Sequence, residues 1–272
     1  MTNPLVISFM TPNMTRHELK DKVGAYEFLA EPFHCDFSGR LFMGHLGNHM
    51  LNAADFHSND RGYGMNVLGP MHRTWVLSRL VIEMDVMPKA YDKFTVETWV
   101  ESAMKYFTGR NFAIRSADGR VCGYGKSIWA MIDTVTRQPV DILSINDGLV
   151  LEYVEKDKPC PIDKPGRARV GEGAKLVRTV DTYYNDVDIN GHINSIKYIE
   201  HALDLFDVEW FKAHRLKRME VAYIAETYQG DKLSFFVEET EDLHYGIKLV
   251  KTDKHTHDTI EVCRMSLFFV KD

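Results

Sequence analysis

Cysteine is scarce in this chain, with four among 272 residues. Cys35, Cys122, Cys160 and Cys263 lie far apart and form no C-x-x-C pair, which excludes a disulfide scaffold, a cysteine zinc site and a dithiol redox motif. Reduced, mostly buried thiols are expected. No run approaches the roughly 18 apolar residues of a membrane-spanning helix. The first thirty residues carry Glu18, Asp21, Glu27 and Glu31 and lack the apolar core of ~7–15 residues that a secretory signal needs. A cytoplasmic location without membrane insertion is the expectation. Positive charge is also short: 33 Lys and Arg face 39 Asp and Glu, for a net charge of -6. The whole-chain field repels nucleic acid and anionic lipid, so any acidic partner needs a local basic patch.

The composition is that of an ordinary water-soluble protein, 44% hydrophobic and 26% charged. At ~150 residues per domain the length corresponds to about 1.8 domains. Two stretches read as β-rich. Residues 73–141 hold strands over 74–83, 93–102, 107–115 and 125–133, separated by turn signals such as Ser116-Ala117-Asp118-Gly119. From residue 219 onward, strands are expected over 233–239, 244–251 and 259–270. One helical pattern precedes each stretch: Leu46, Met50, Leu51 and Ala54 in the first, Ile196, Ile199, Leu203 and Phe206 in the second. Residues 156–173, with Pro159, Pro161 and Pro165 and many charges, read as a linker.

The halves resemble each other. Asp92-Lys93-Phe94-Thr95 and Asp231-Lys232-Leu233-Ser234 stand 139 residues apart, each followed by strands and preceded by a helix. A duplicated helix-plus-antiparallel-sheet unit of class α+β is the simplest account: an N-terminal domain over 1–155, the linker, and a C-terminal domain over 174–272. One helix covers only one face of a sheet, so the two sheets are expected to join edge to edge.

The densest polar cluster runs from Asn185 to Tyr198, immediately before the second helix. Any one of its Asn or Asp residues could serve merely as a helix cap, and a single histidine among 12 is weak evidence of chemistry. The group says more. Asp188, Asn190 and His192 stand at i, i+2 and i+4, so an extended or looped segment sends them to one side, beside a helix N-terminus whose positive end suits a developing oxyanion.

The string Asp188-x-Asn190-x-His192-x-Asn194-x-x-Lys197-Tyr198 resembles the catalytic segment of the acyl-ACP thioesterases of plants and bacteria, which carry two hotdog domains in one chain. In that family a glutamate follows the histidine by about 34 residues in a Tyr-x-x-Glu context, and Tyr223-Ile224-Ala225-Glu226 supplies it at that spacing. Residues 75–80 and 96–100 also resemble the first-domain strands, so the likeness spans nearly the whole chain. Two departures stand out. Plant members commonly carry cysteine after the glutamate, where this chain has Thr227, which excludes a thiolate nucleophile there. Ser195 replaces a second asparagine.

The resemblance implies a tandem double hotdog that hydrolyses the thioester between a fatty acyl chain and the phosphopantetheine arm of acyl carrier protein, with no metal or other cofactor. It makes Glu226 the general base or nucleophile and His192 its proton-handling partner. Asn190 would hold the carbonyl or the attacking water, and Asp188 would orient its neighbours. It places the acyl chain in the N-terminal domain, with Asn48, Met50, Leu51 and Ala54 as lining that ordinary core packing explains equally well. Lys212, Arg215, Lys217 and Arg218 form the richest basic run, expected either to dock the acidic carrier or to be a solvated helix end or loop. Alternatives within the fold are an acyl-CoA thioesterase, a dehydratase and a non-catalytic acyl-thioester sensor; assembly as a homodimer stays open.

Overall fold

The computed structural model describes residues 20–166 and 168–272; Glu18 and the rest of residues 1–19 lie outside the described residues. Ten antiparallel strands form one sheet: β1 Gly24–Leu29, β2 Arg73–Met84, β3 Lys93–Ala103, β4 Phe107–Ser116, β5 Val121–Asp133, β6 Lys175–Asp181, β7 His214–Tyr223, β8 Lys232–Glu241, β9 His244–Thr252 and β10 Thr259–Lys271. Their spatial order is β1-β3-β4-β5-β2-β7-β10-β9-β8-β6. Read outward from the centre, the two halves have the same connectivity, with β1 to β5 answering β6 to β10. The duplication legible in Asp92-Lys93 and Asp231-Lys232 marks the starts of β3 and β8.

The expected edge-to-edge joint is the pairing of β2 with β7, from Arg79 opposite Ala222 to Glu83 opposite Arg218. Its side chains are fitted to the joint. Arg218, with its side chain only 12% exposed, donates to Glu83 at 2.7 Å and to Glu220 at 2.7 Å, and Lys217 meets Asp85. The basic run is thereby divided between a helix end and a strand. Residues 214–218 begin strand β7, and Lys217 and Arg218 are matched across the joint by carboxylates. Lys212 ends the short helix α4 (Val208–Ala213) and pairs with Glu209, while Arg215 lies against Asp272.

The two long helical patterns are α1, Met43–Asp60, and α3, Ser195–Leu203; α2 is the short turn Met65–Leu68. Their apolar stripes meet each other and the sheet. Leu46 and Met50 of α1, Ile196 and Ile199 of α3, Leu80 and Ile82 of β2 and Met219 and Val221 of β7 belong to one continuous core. Fully burying each such side chain contributes ~1.5–3 kcal/mol before entropy is counted. The helices approach closely because α1 carries Gly47, where a Cβ would lie 2.7 Å from Ile196 Cδ1.

Edge strands β1 and β6 and the irregular 3-10 stretch Ile142–Tyr153 were not expected. β6 is exposed along almost its whole length, so it has no buried face to print an alternation into the sequence. The described residues of 156–173 carry no helix or strand.

Candidate active site

The polar cluster folds as a tight loop between the 3-10 turn Tyr184–Asp186 and α3. Asp188 Oδ1 accepts the N–H groups of Asn190 at 2.8 Å and His192 at 3.3 Å, and the Asp188 N–H donates to the His192 carbonyl at 2.8 Å. Gly191 closes the turn at φ 82°, a left-handed conformation that favours glycine. Asn194 then caps α3, its Oδ1 accepting the Ile196 N–H at 2.9 Å. Asp188 is therefore spent on the loop backbone, whereas the side chain of Asn190 stands exposed on the cavity wall.

Glu226 arrives from the other side. Beyond β7 the N–H groups of Ile224 and Ala225 both reach the Val262 carbonyl, at 2.8 and 3.3 Å, which lifts the chain out of the ladder. The Ile193 N–H then donates to the Thr227 carbonyl at 2.8 Å, tying the loop to this segment. The result is a contact of 3.3 Å between His192 Nε2 and Glu226 Oε2. Thr227 is fully buried, so the position after the glutamate faces the core and not the cavity.

Three further residues hold Glu226, and none was legible in the sequence. Arg137, from the loop after β5 in the N-terminal half, grips Oε1. The Tyr228 hydroxyl donates to Oε2 at 3.3 Å, and Lys251 Nζ donates to the Glu226 backbone carbonyl at 3.0 Å. Partial burial, and then the nearby Glu226 carboxylate, raise the Tyr228 pKa, keeping that hydroxyl a donor. Its ring meets that of His192 edge-on at 5.1 Å. Only the position of Tyr228, two residues past Glu226, could have drawn attention to it.

A cavity of about 920 Å³ brings the predicted residues together. Asp188, Asn190, His192 and Glu226 line it with Asn48, Leu51 and Ala54 of α1. Met50 is the exception. It is fully buried, and its methyl group lies against Gly125 on β5, so it belongs to the core and not to the lining. The cavity is thus walled by both halves.

The N-terminal half repeats the loop without its chemistry. Asp36 Oδ1 accepts the N–H groups of Ser38 at 2.8 Å and Arg40 at 3.1 Å, Gly39 sits at φ 74°, and the Leu41 N–H donates to the Pro88 carbonyl at 2.8 Å. Matching each bond to its counterpart puts Ser38 where the second copy has Asn190, Arg40 for His192 and Met87 for Glu226. A second cavity of about 1020 Å³ is lined by this loop and α3. Arg215 of the basic run lines this second cavity and not the first. The frame is kept twice, but an imidazole and a carboxylate stand at these two positions only in the C-terminal copy.

Residues 24–147 match the family model described as the acyl-ACP thioesterase N-terminal domain, and residues 172–264 match the acyl-ACP thioesterase C-terminal domain. The crystal structure of an acyl-ACP thioesterase from Bacteroides thetaiotaomicron is 48% identical, with a TM-score of 0.84 over 92% of this chain and 98% of that one. The 12:0-ACP thioesterase from Umbellularia californica shares the fold, with a TM-score of 0.76 at 17% identity over 94% of this chain and 100% of that one. Among curated proteins, the chloroplastic palmitoyl-acyl carrier protein thioesterase of Arabidopsis thaliana is 28% identical over 56% of this chain and 38% of its own length. Oleoyl-acyl carrier protein thioesterase 1 of the same plant is 25% identical over 64% of this chain and 50% of its own length. The chain thus spans half or less of these two curated relatives.

Proposed function

The chain belongs to the acyl-ACP thioesterase family, a tandem double hotdog, and we propose that it hydrolyses fatty acyl-acyl carrier protein to a free fatty acid and holo-carrier. The observation that carries this reading is the single cavity joining the His192–Glu226 pair to the α1 residues Leu51 and Ala54. A thioester hydrolase needs an activated water, a proton for the departing thiolate and an apolar berth for the chain.

In the mechanism, a water molecule between Glu226 and the substrate gives a proton to the His192–Glu226 pair as its oxygen bonds to the thioester carbon. The C–S bond breaks, and the pair returns one proton to the thiolate sulfur of the phosphopantetheine arm. Glu226 acts as base and not nucleophile, because Arg137, His192 and Tyr228 together engage both carboxylate oxygens, and direct attack would have to break those contacts. Asn190 holds the carbonyl oxygen, and Asp188 keeps Asn190 and His192 in register through their backbone N–H groups.

Labour is divided between the domains. The N-terminal domain, 1–155, accommodates the chain, and the C-terminal domain, 174–272, cleaves it, with 156–173 as linker. Release of the chain from its carrier ends fatty acid biosynthesis on that carrier. Four free cysteines accord with a cytoplasmic setting.

Purified protein incubated with a panel of acyl-ACPs and the matching acyl-CoAs tests the reading. Release of free acid and carrier thiol in equal amounts, faster from the carrier than from CoA, is expected. Faster turnover of CoA esters would assign the chain to acyl-CoA hydrolysis, and hydration of an enoyl thioester without cleavage would assign it to dehydration.

A further inference from the structure

We propose that Glu31, His34 and His49 form a binding site for one divalent transition-metal ion of the zinc class, separate from the catalytic pair. The ligand atoms of the three residues all lie within 4.8 Å of one another. Glu31 Oε2 is 3.2 Å from His34 Nδ1 and 3.7 Å from His49 Nε2. Ligands bonded at ~2.0–2.1 Å around a tetrahedral ion stand roughly 3.3–3.5 Å apart, so little movement is needed to close the site.

His49 supplies the second observation. Its Nε2 is buried and has no hydrogen-bond partner, although buried polar atoms are nearly always satisfied. The ring is held in place by Phe28, at 4.6 Å between centroids, and Phe94, at 5.5 Å. The His34 ring is fixed by stacking on His45 at 4.0 Å. Two imidazoles and a carboxylate are a donor set suited to Zn²⁺, with water in the fourth position.

The C-terminal copy shows what the site replaces. The equivalent positions there are Tyr183, Asp186 and His201, where the Asp186 carboxylate accepts the Tyr183 N–H at 2.7 Å and lies 3.5 Å from His201 Nε2. His201 Nε2 is likewise buried without a hydrogen-bond partner, but that copy offers it one acid and no second imidazole, so among the described residues a full ligand set is present only in the N-terminal copy. In the N-terminal copy the acid moves to position 31 and a second imidazole enters at 34, so an ion would clamp the 3-10 turn Pro32–His34 onto α1. None of the three residues lines the catalytic cavity, so the ion is a structural cross-link.

The test is calorimetric titration of Zn²⁺ into the full chain after chelator treatment, paired with the thermal midpoint at saturating Zn²⁺. One ion per chain is expected, with a higher midpoint and at least tenfold weaker binding in Glu31→Gln, His34→Ala and His49→Gln. Exposed His255→Ala is the control and should leave binding unchanged. The Co²⁺-loaded protein should lack a thiolate charge-transfer band. Absence of saturable binding, undiminished binding in both Glu31→Gln and His34→Ala, or binding lost with His255→Ala would overturn the assignment.

Discussion

The imidazole of His192 and the carboxylate of Glu226 meet at 3.3 Å because the next residue on each segment is bonded through the backbone, Ile193 N–H to the Thr227 carbonyl at 2.8 Å. Residues 34 apart in sequence are thereby placed by main-chain geometry, which a conservative side-chain change leaves intact. Substitutions at the pair should therefore be read as chemistry and not as misfolding.

Arg137 is the contact that the N-terminal half makes with the Glu226 carboxylate. Its removal in Arg137→Ala frees Glu226 Oε1 and loosens the aim of the carboxylate. A fall of ~10–100-fold in kcat, larger than any change in KM, is expected from lost positioning. Steady-state kinetics with circular dichroism checks this; unchanged kcat would make the contact a surface ion pair only.

The α1 residues separate lining from core. Leu51→Trp or Ala54→Phe should shift the released acids toward shorter chains, because both residues face the cavity. Met50→Ala should leave the product profile unchanged while destabilising the fold by ~2–5 kcal/mol, as truncation of a fully buried side chain does. Chromatography of released acids and denaturant melts distinguish the two outcomes.

Helix α1 also carries an acid-sensitive group. Burial, and then the guanidinium groups of Arg110 and Arg61, push the His57 pKa down to about 2, while its ring bonds the Lys22 carbonyl at 3.0 Å and the Tyr63 hydroxyl at 3.1 Å. Unfolded, it titrates near ~6.5. Between those values the unfolded chain binds the extra proton, so stability falls as pH drops below ~6.5, by up to ~1.4 kcal/mol per unit from this group. Melts from pH 7 to 5 should show that slope, and His57→Gln should flatten it; an equal slope in both would refute the role.

Much of this arrangement is written in local sequence. The strand expected over 93–102 is β3, the spacing of Ile196, Ile199 and Leu203 marked α3, and the loop Asp188-x-Asn190-Gly191-His192 carries its own turn chemistry. What stayed hidden depends on distant chain. Arg137 reaches Glu226 across 89 residues, and nothing near Thr136-Arg137-Gln138 signals it. Exposed β6 has no buried face to read. The pairing of Lys217 and Arg218 was hidden for the same reason, because their acidic partners Glu83 and Asp85 lie on the other half of the sheet. Met50 was grouped with Leu51 by helical spacing, which cannot tell a core face from a cavity wall one residue away.

Glu226, held beside His192, is expected to activate the water that cleaves the thioester. Carrier-thiol release from acyl-ACP by wild type, Glu226→Gln and His192→Ala, each checked for an unchanged melting midpoint, measures it most directly. The expected result is a loss of ~10²–10⁴ in kcat for each variant. Wild-type turnover in a folded Glu226→Gln protein would remove Glu226 from the reaction.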